Sequence, residues 1–518
     1  MATSEDGKSD AQSIARTYDE LPYSDRAFET ASPDRLAVVG LLHGLSPAPP
    51  ARCSVLELGC GVGGNLLPLA EALPASRFVG IDISPRQIEL GRAAAAQLGA
   101  ANVELRAQDL MDFGAGEGPF DYILCHGVYS WVPPPVAERI LRICKACLAP
   151  HGLATISYNA LPGWRAQAAV RDVLGFGARG AGGPAEQVRA AREFLGFAAR
   201  SLFEKDSPYG LSLRAAAEAL AAESDTYVYH EYLEAWNAAV WFEDFAARAA
   251  GSHLRYVDEA TMQDPSPLLS DEARRVLNGI SDDVVRCEQV LDFLRNRTFR
   301  RDVLCHAARD VSRWPQPEAL RSLRLIGVAA PVTAEANLAD RSAVRFRSPR
   351  GPGISTDDPA LKTALGLLHA ARPRAIRFGE LATEVARSAG RADAGNLARS
   401  LLGCAMAGLV DLHAYLPPFA ARPGEKPRAP RAARRHAAAG AAVVNLRHQT
   451  IELDDACRAV LALADGSRTR AEIAGETQKL FEAGTLKSSA GAAPAPPETA
   501  AAVDEILQAL ADRWLLME

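Results

Sequence analysis

Val55-Leu-Glu-Leu-Gly-Cys-Gly-Val-Gly-Gly-Asn65 reads as a buried strand, a glycine turn and the first residue of a helix. Gly59, Gly61, Gly63 and Gly64 let the backbone bend sharply and come close to a ligand with no Cβ in the way. Such a turn cradles a nucleotide. On its own it is shared by sites for NAD, FAD and S-adenosylmethionine (AdoMet), so the choice rests on its surroundings.

Three details favour AdoMet. Glu57 lies inside the strand, where a carboxylate anchors the loop and, directly or through water, a cationic amino-acid end; a pyrophosphate there would be repelled. The third glycine of the dinucleotide pattern is missing from its place, because Asn65 follows Gly64 and opens the helix. Arg77-Phe-Val-Gly-Ile-Asp82 reads as a second strand, with Asp82 at the end where an acid accepts both ribose hydroxyls. Asn102 to Ala107 reads as a third strand, followed by Asp109, which either accepts the adenine amino group or caps a turn. Ile83 and Leu110, next to the two acids, Gly59, Cys60 and Gly61 of the turn, and Asn65 complete the cofactor set.

Here the sequence, over residues 18–170, resembles the class I AdoMet-dependent methyltransferases, on the strength of the glycine loop, Asp82 and Ala-Gln-Asp109-Leu. The resemblance implies an α/β, Rossmann-like fold. Phe120 to Cys125 is the fourth strand, and His126-Gly-Val-Tyr129-Ser-Trp131 continues it at the edge that faces the transferred methyl in this fold. Ser157-Tyr158-Asn159-Ala-Leu-Pro-Gly-Trp164 leaves the fifth strand on the same edge. His126, Tyr129, Trp131, Tyr158, Asn159 and Trp164 are therefore the candidate reaction residues, with His126 also a cofactor contact; the bland reading is loop packing. Tyr18 and Tyr23 flank Pro22 in a segment that either closes over the methionine end of the cofactor or serves as a packing arm.

At 518 residues the chain predicts about three domains. A formal charge of −6 with 48% hydrophobic residues provides no global field to recruit nucleic acid or membrane. No signal peptide, membrane-spanning run or paired metal-ligand spacing is read in it, so a reducing cytoplasm is the expected compartment. The pair Cys144 and Cys147 falls in a helical pattern and is read as core. The organisation expected is a disordered tail at 1–15, the AdoMet domain at 16–175, a Gly/Ala boundary, and a separate helical domain at 184–312. A linker and winged-helix-like unit follow at 313–420, then a Pro/Arg/Ala linker at 421–442 and a second winged-helix-like unit at 443–518.

The runs Tyr227-Val-Tyr-His-Glu231, Trp241-Phe-Glu-Asp-Phe and Asp292-Phe-Leu-Arg-Asn-Arg-Thr-Phe-Arg-Arg301, with the earlier Ser157 to Trp164, are similar to bacterial methyltransferases with a "methyltransferase regulatory" middle domain. That family includes rickettsial lysine methyltransferases acting on outer-membrane protein B. The resemblance implies a protein partner, such as an outer-membrane or surface protein before export, methylated on lysine. A small-molecule acceptor, or a non-catalytic AdoMet sensor using its winged helices on DNA, stays open. Where the family pattern has Thr-His-Pro, this chain has Ala31-Ser32-Pro33, so any duty of that histidine is absent or moved. Arg295, Arg297, Arg300 and Arg301 are read as interdomain ion pairs rather than an anion site. The expected recognition helix of the first winged unit carries only Arg399, which favours protein docking over nucleic acid.

Overall fold

Val55 to Leu58 are buried on both faces, which is what a near-continuous apolar strand requires, and this strand becomes the centre of the molecule. The computed structural model describes residues 17–21, 26–262, 269–333, 337–349, 351, 353–389, 393–487 and 494–518. The tail at 1–15 and Tyr23 lie outside the described residues. Seven strands, β1 Ser54–Leu58, β2 Arg77–Asp82, β3 Val103–Ala107, β4 Phe120–Cys125, β5 Leu148–Asn159, β6 Leu254–Glu259 and β7 Phe299–His306, form one sheet in the order β3-β2-β1-β4-β5-β7-β6. The first five pair in parallel; β7 runs antiparallel between β5 and β6. The strand order reverses between β1 and β4, and a crevice opens there at the carboxyl ends.

Glycines bring the pieces close. Gly59 sits at φ +73°, and a Cβ on it would meet Val128 at 2.4 Å; a Cβ on Gly91, in helix Pro85–Leu98, would lie 2.8 Å from the Val62 carbonyl oxygen. That helix is thereby seated against the glycine loop.

The separate helical domain at 184–312 is corrected. Helices Pro184–Ser201 and Pro208–Ala221, together with Trp164–Gly177, form a helical layer, but residues beyond Val240 return to the sheet as β6 and β7. The period-2 pattern of β7 was hidden because two of its inward positions are Arg300 and Asp302. Arg300 has no exposure and meets Asp302 at 2.9 Å, Asp292 at 2.8 Å and Glu288 at 3.0 Å. Arg297 pairs with Asp292 at 2.8 Å and Glu259 at 3.4 Å. These ion pairs join β6, β7 and helix Val284–Arg295 to one another, so they lie within one sheet layer rather than between domains.

The first winged-helix-like unit has helices Pro359–Ala370, Phe378–Ala389 and Ala394–Met406 against a sheet of Ile376–Arg377, Arg324–Gly327 and Val410–His413. It is joined to the sheet domain through Asp34, whose carboxylate accepts from the Ala414 and Tyr415 N–H groups at 2.8 Å and contacts His413 at 2.7 Å. The expected linker at 421–442 is a second correction. Arg431–Ala438 is a helix, and its Arg431 and Ala432 N–H groups donate to the Glu71 carboxylate at 2.6 and 2.9 Å. Its arginines read as a solvated spacer, yet Ala432 packs on Leu67, Ala94 and Leu98. The last unit continues with hairpin Val443–Val444/Thr450–Ile451 and helices Asp455–Leu463, Arg470–Glu482 and Pro496–Asp512. Cys144 and Cys147 are buried in the core below β4.

Candidate active site

The crevice at the β1/β4 reversal is a cavity of about 480 Å³ that runs from the glycine loop to the loop after β4. At one end Asp82 closes β2. Its Oδ2 accepts the Gly61 N–H and its Oδ1 the Ser84 N–H, both at 2.9 Å, which holds the side chain at the strand end. Burial raises its pKa, and those backbone donors oppose the rise. Asp109 both caps the turn Leu110–Asp112, accepting the Met111 N–H at 2.9 Å, and lines the cavity with Leu110. The two readings of Asp109 are therefore compatible.

Glu57 lies in the floor. Its Oε1 accepts from Asn65 Nδ2 at 3.0 Å, while Oε2 is buried with no protein partner. Burial pushes this carboxyl up to about 8, the Asn65 hydrogen bond lowers it and the nearby Asp82 charge adds to the rise. A buried acceptor without a donor calls for one from a ligand, and a cation would bring the carboxylate back to its charged form.

His126 faces the middle of the cavity between rings. Phe28 stacks on it with centroids 3.7 Å apart and Phe299 meets it edge-on at 5.8 Å. Burial, aided by Arg301, pushes His126 down to about 3, so the ring is neutral throughout the physiological range. Trp131 and Trp164 meet edge to face at 6.5 Å, with the Trp164 N–H donating to Asn237 at 2.7 Å. Asn159 lines the same end with its Nδ2 buried and without a partner.

Of the sequence-derived set, Tyr18, Glu57, Gly59, Cys60, Gly61, Asn65, Asp82, Ile83, Asp109, Leu110, His126, Trp131, Asn159 and Trp164 meet in this one cavity. Tyr129 and Tyr158 do not. Both point into the core beneath β4 and β5, packed on Phe245 at 5.3 and 4.3 Å, and the Tyr158 hydroxyl donates to Asp302 at 2.5 Å. Strand alternation decides this for Tyr158, since Asn159 and Tyr158 are neighbours on β5 and must face opposite sides, whereas Tyr129 lies in the turn beyond the end of β4. The sequence reading missed Phe28, Tyr227, His230, Glu231, Phe299 and Arg301 as cavity residues. The aromatic density of 227–232 was visible, but only the fold carries it to the crevice. Tyr18 stacks on His230 at 4.4 Å, and the Leu21 carbonyl lies 2.6 Å from His230 Nε2, so the N-terminal segment spans helical layer and cavity.

Three family models match the chain: a methyltransferase domain over residues 55–152, a predicted methyltransferase regulatory domain over 224–306, and the PKMT C-terminal winged helix domain over 425–515. A Rickettsia prowazekii protein, the uncharacterized RP028, is 39% identical over 233 residues, covering 45% of this chain and 93% of the relative. The chain belongs to this methyltransferase family. A second uncharacterized protein of the same organism, RP789, is 33% identical over 311 residues, 60% of this chain and 56% of the relative; the match thus spans little more than half of RP789. PKMT2 from Rickettsia typhi, in complex with AdoHcy, superposes with a TM-score of 0.84 at 29% identity, covering 96% of this chain and all of that chain.

The cavity fits AdoMet on its own geometry. The unpartnered Glu57 Oε2 suits an ammonium, Asp82 at the end of β2 suits a pair of hydroxyls, and the Gly59 turn has no room for a Cβ. Among the described residues no His/Cys/Asp/Glu cluster is arranged to hold a metal, and no helix is long and apolar enough to cross a membrane.

Proposed function

We propose that the protein methylates lysine side chains of a protein acceptor, using AdoMet. The observation that carries this reading is the single cavity that joins an acidic cradle to an aromatic end bearing His126, Trp131 and Trp164. The likeness to PKMT2 along 96% of the chain supports the protein acceptor. When bound, AdoMet supplies a methyl group on a sulfonium, open to in-line displacement.

The protein's own residues do the rest. Glu57, Asp82 and Asp109 would hold the amino-acid, ribose and adenine parts. Rings of Phe28, Trp131 and Trp164 exclude water and would favour the cofactor's sulfonium over their faces by ~0.5–2 kcal/mol. An acceptor amine must arrive without its proton. His126 is too weak a base at about 3 to remove it at neutral pH. The same burial and the Arg301 charge that hold His126 neutral also disfavour a protonated amine beside it, so the proton is shed to solvent as the side chain enters. In this reading the acceptor is met in the cytoplasm, before any export.

Incubation of purified protein and methyl-labelled AdoMet with a cell lysate tests the proposal. Label on protein bands that survives base and is recovered as methyl-lysine is expected. Label confined to small molecules would replace the acceptor class, and no turnover alongside salt-dependent duplex binding would replace catalysis with a sensor role.

A further inference from the structure

The hairpin of the C-terminal unit ends in a turn, Asn445–Gln449, that reaches into the floor of the cofactor cradle. Asn445 organises it: its Oδ1 accepts the Arg447 and Gln449 N–H groups at 2.9 Å, its N–H donates to the Gln449 carbonyl at 3.0 Å, and its Nδ2 donates to the Arg513 carbonyl at 3.0 Å. This places His448 at φ +60°, a conformation L-residues seldom adopt. His448 is 5% exposed, and its Nε2 lies 2.7 Å from Asn65 Oδ1 across 383 residues of sequence.

The direction of every bond around Asn65 follows from its partners. The Ala31 carbonyl, 3.1 Å away, can only accept, so it faces Nδ2; the Phe28 N–H, 3.0 Å away, can only donate, so it faces Oδ1. His448 must therefore present Nε2–H to Oδ1. Burial keeps the ring neutral, so that proton is the single one it carries. The remaining hydrogen on Nδ2 goes to Glu57 Oε1, and Oε2 is left for a ligand.

We propose that His448 is a positioning residue of the cofactor site: the hairpin of the C-terminal unit locks the Asn65 amide, which in turn aims the Glu57 carboxylate and, through the Phe28 N–H, seats the ring stacked on His126. The cradle is complete only when that unit is docked. The inference rests on the reading of the cavity as an AdoMet site.

Calorimetric titration of the whole 518-residue chain with AdoHcy separates the two. A wild type that takes up no AdoHcy overturns both. With wild-type binding in hand, His448→Ala and His448→Phe are expected to weaken AdoHcy about tenfold, while His448→Gln, whose amide nitrogen takes the place of Nε2, stays within about twofold. Placed on Asn65→Ala, His448→Ala should cost nothing further. Unchanged affinity in His448→Ala, or rescue by Phe and not by Gln, overturns the proposal in favour of packing alone. In the wild type, hydrogen exchange supplies a readout independent of any variant: AdoHcy should slow exchange across 443–451, and by reciprocity equal exchange with and without AdoHcy overturns the coupling.

Discussion

Glu57 carries two demands that conflict. Buried at 4% exposure, with its carboxyl pushed up to about 8, it keeps its proton in the free protein at neutral pH, whereas a cationic ligand needs it ionised. Between the ordinary carboxyl range and pH 8 the unfolded chain has released this proton and the folded chain holds it. Stability from this group therefore falls as pH rises through that window. Glu57→Gln removes the penalty. The ligand-free variant should melt about 2–4 °C above wild type at pH 8, converge with it near pH 5, and lose about tenfold or more in AdoHcy affinity, seen by scanning calorimetry and titration. Asp82 is a different case, since its oxygens already hold the Gly61 and Ser84 N–H groups. Asp82→Ala should weaken AdoHcy by on the order of 2 kcal/mol or more, and an unchanged dissociation constant would remove it from the site.

At the scale of the element, β7 is the informative strand. Its Arg300 sits between Asp302, Asp292 and Glu288, and its guanidinium lies 3.9 Å from the Phe242 ring centre. Removing one member of such a set leaves buried charge without compensation. Arg300→Met should cost about 3–5 kcal/mol, measurable as a lowered urea midpoint, although the side chain touches no part of the cavity. The neighbour one residue on, Arg301, faces the cavity instead. Alternation along a strand thus divides a run of basic residues into a structural anchor and a site residue.

Across the whole molecule, the C-terminal unit is held at several separate places. Glu71 receives the first two N–H groups of helix Arg431–Ala438, Arg447 pairs with Asp411, and Trp514 stacks on Phe419 at 3.5 Å. A carboxylate at a helix start is favoured by the helix dipole as well as by the bonds themselves. Glu71→Ala should weaken this docking by about 1–2 kcal/mol. Faster hydrogen exchange across 431–451, with 455–463 little changed, is the expected sign; uniform exchange would mean the contact contributes nothing.

The glycine turn, the acids that end β2 and follow β3, and the His126 edge were legible because each rests on local chemistry: a backbone that must bend, and a strand end that must present a carboxylate. Those determinants lie within a few residues of one another, so the Rossmann-like layer and most of the cavity could be read directly. Tyr129 and Tyr158 misled because an aromatic near a strand end says nothing of which side of the sheet it faces. β7 was concealed by a buried arginine whose partners come from other elements, and the 421–442 segment by alanines that matter only once Leu67 and Leu98 are beside them. His448 lies 383 positions from Asn65, and no local pattern joins the two. Short-range stereochemistry wrote the cradle; which distant side chains close it was decided by packing, because a buried polar atom takes whichever partner the fold delivers.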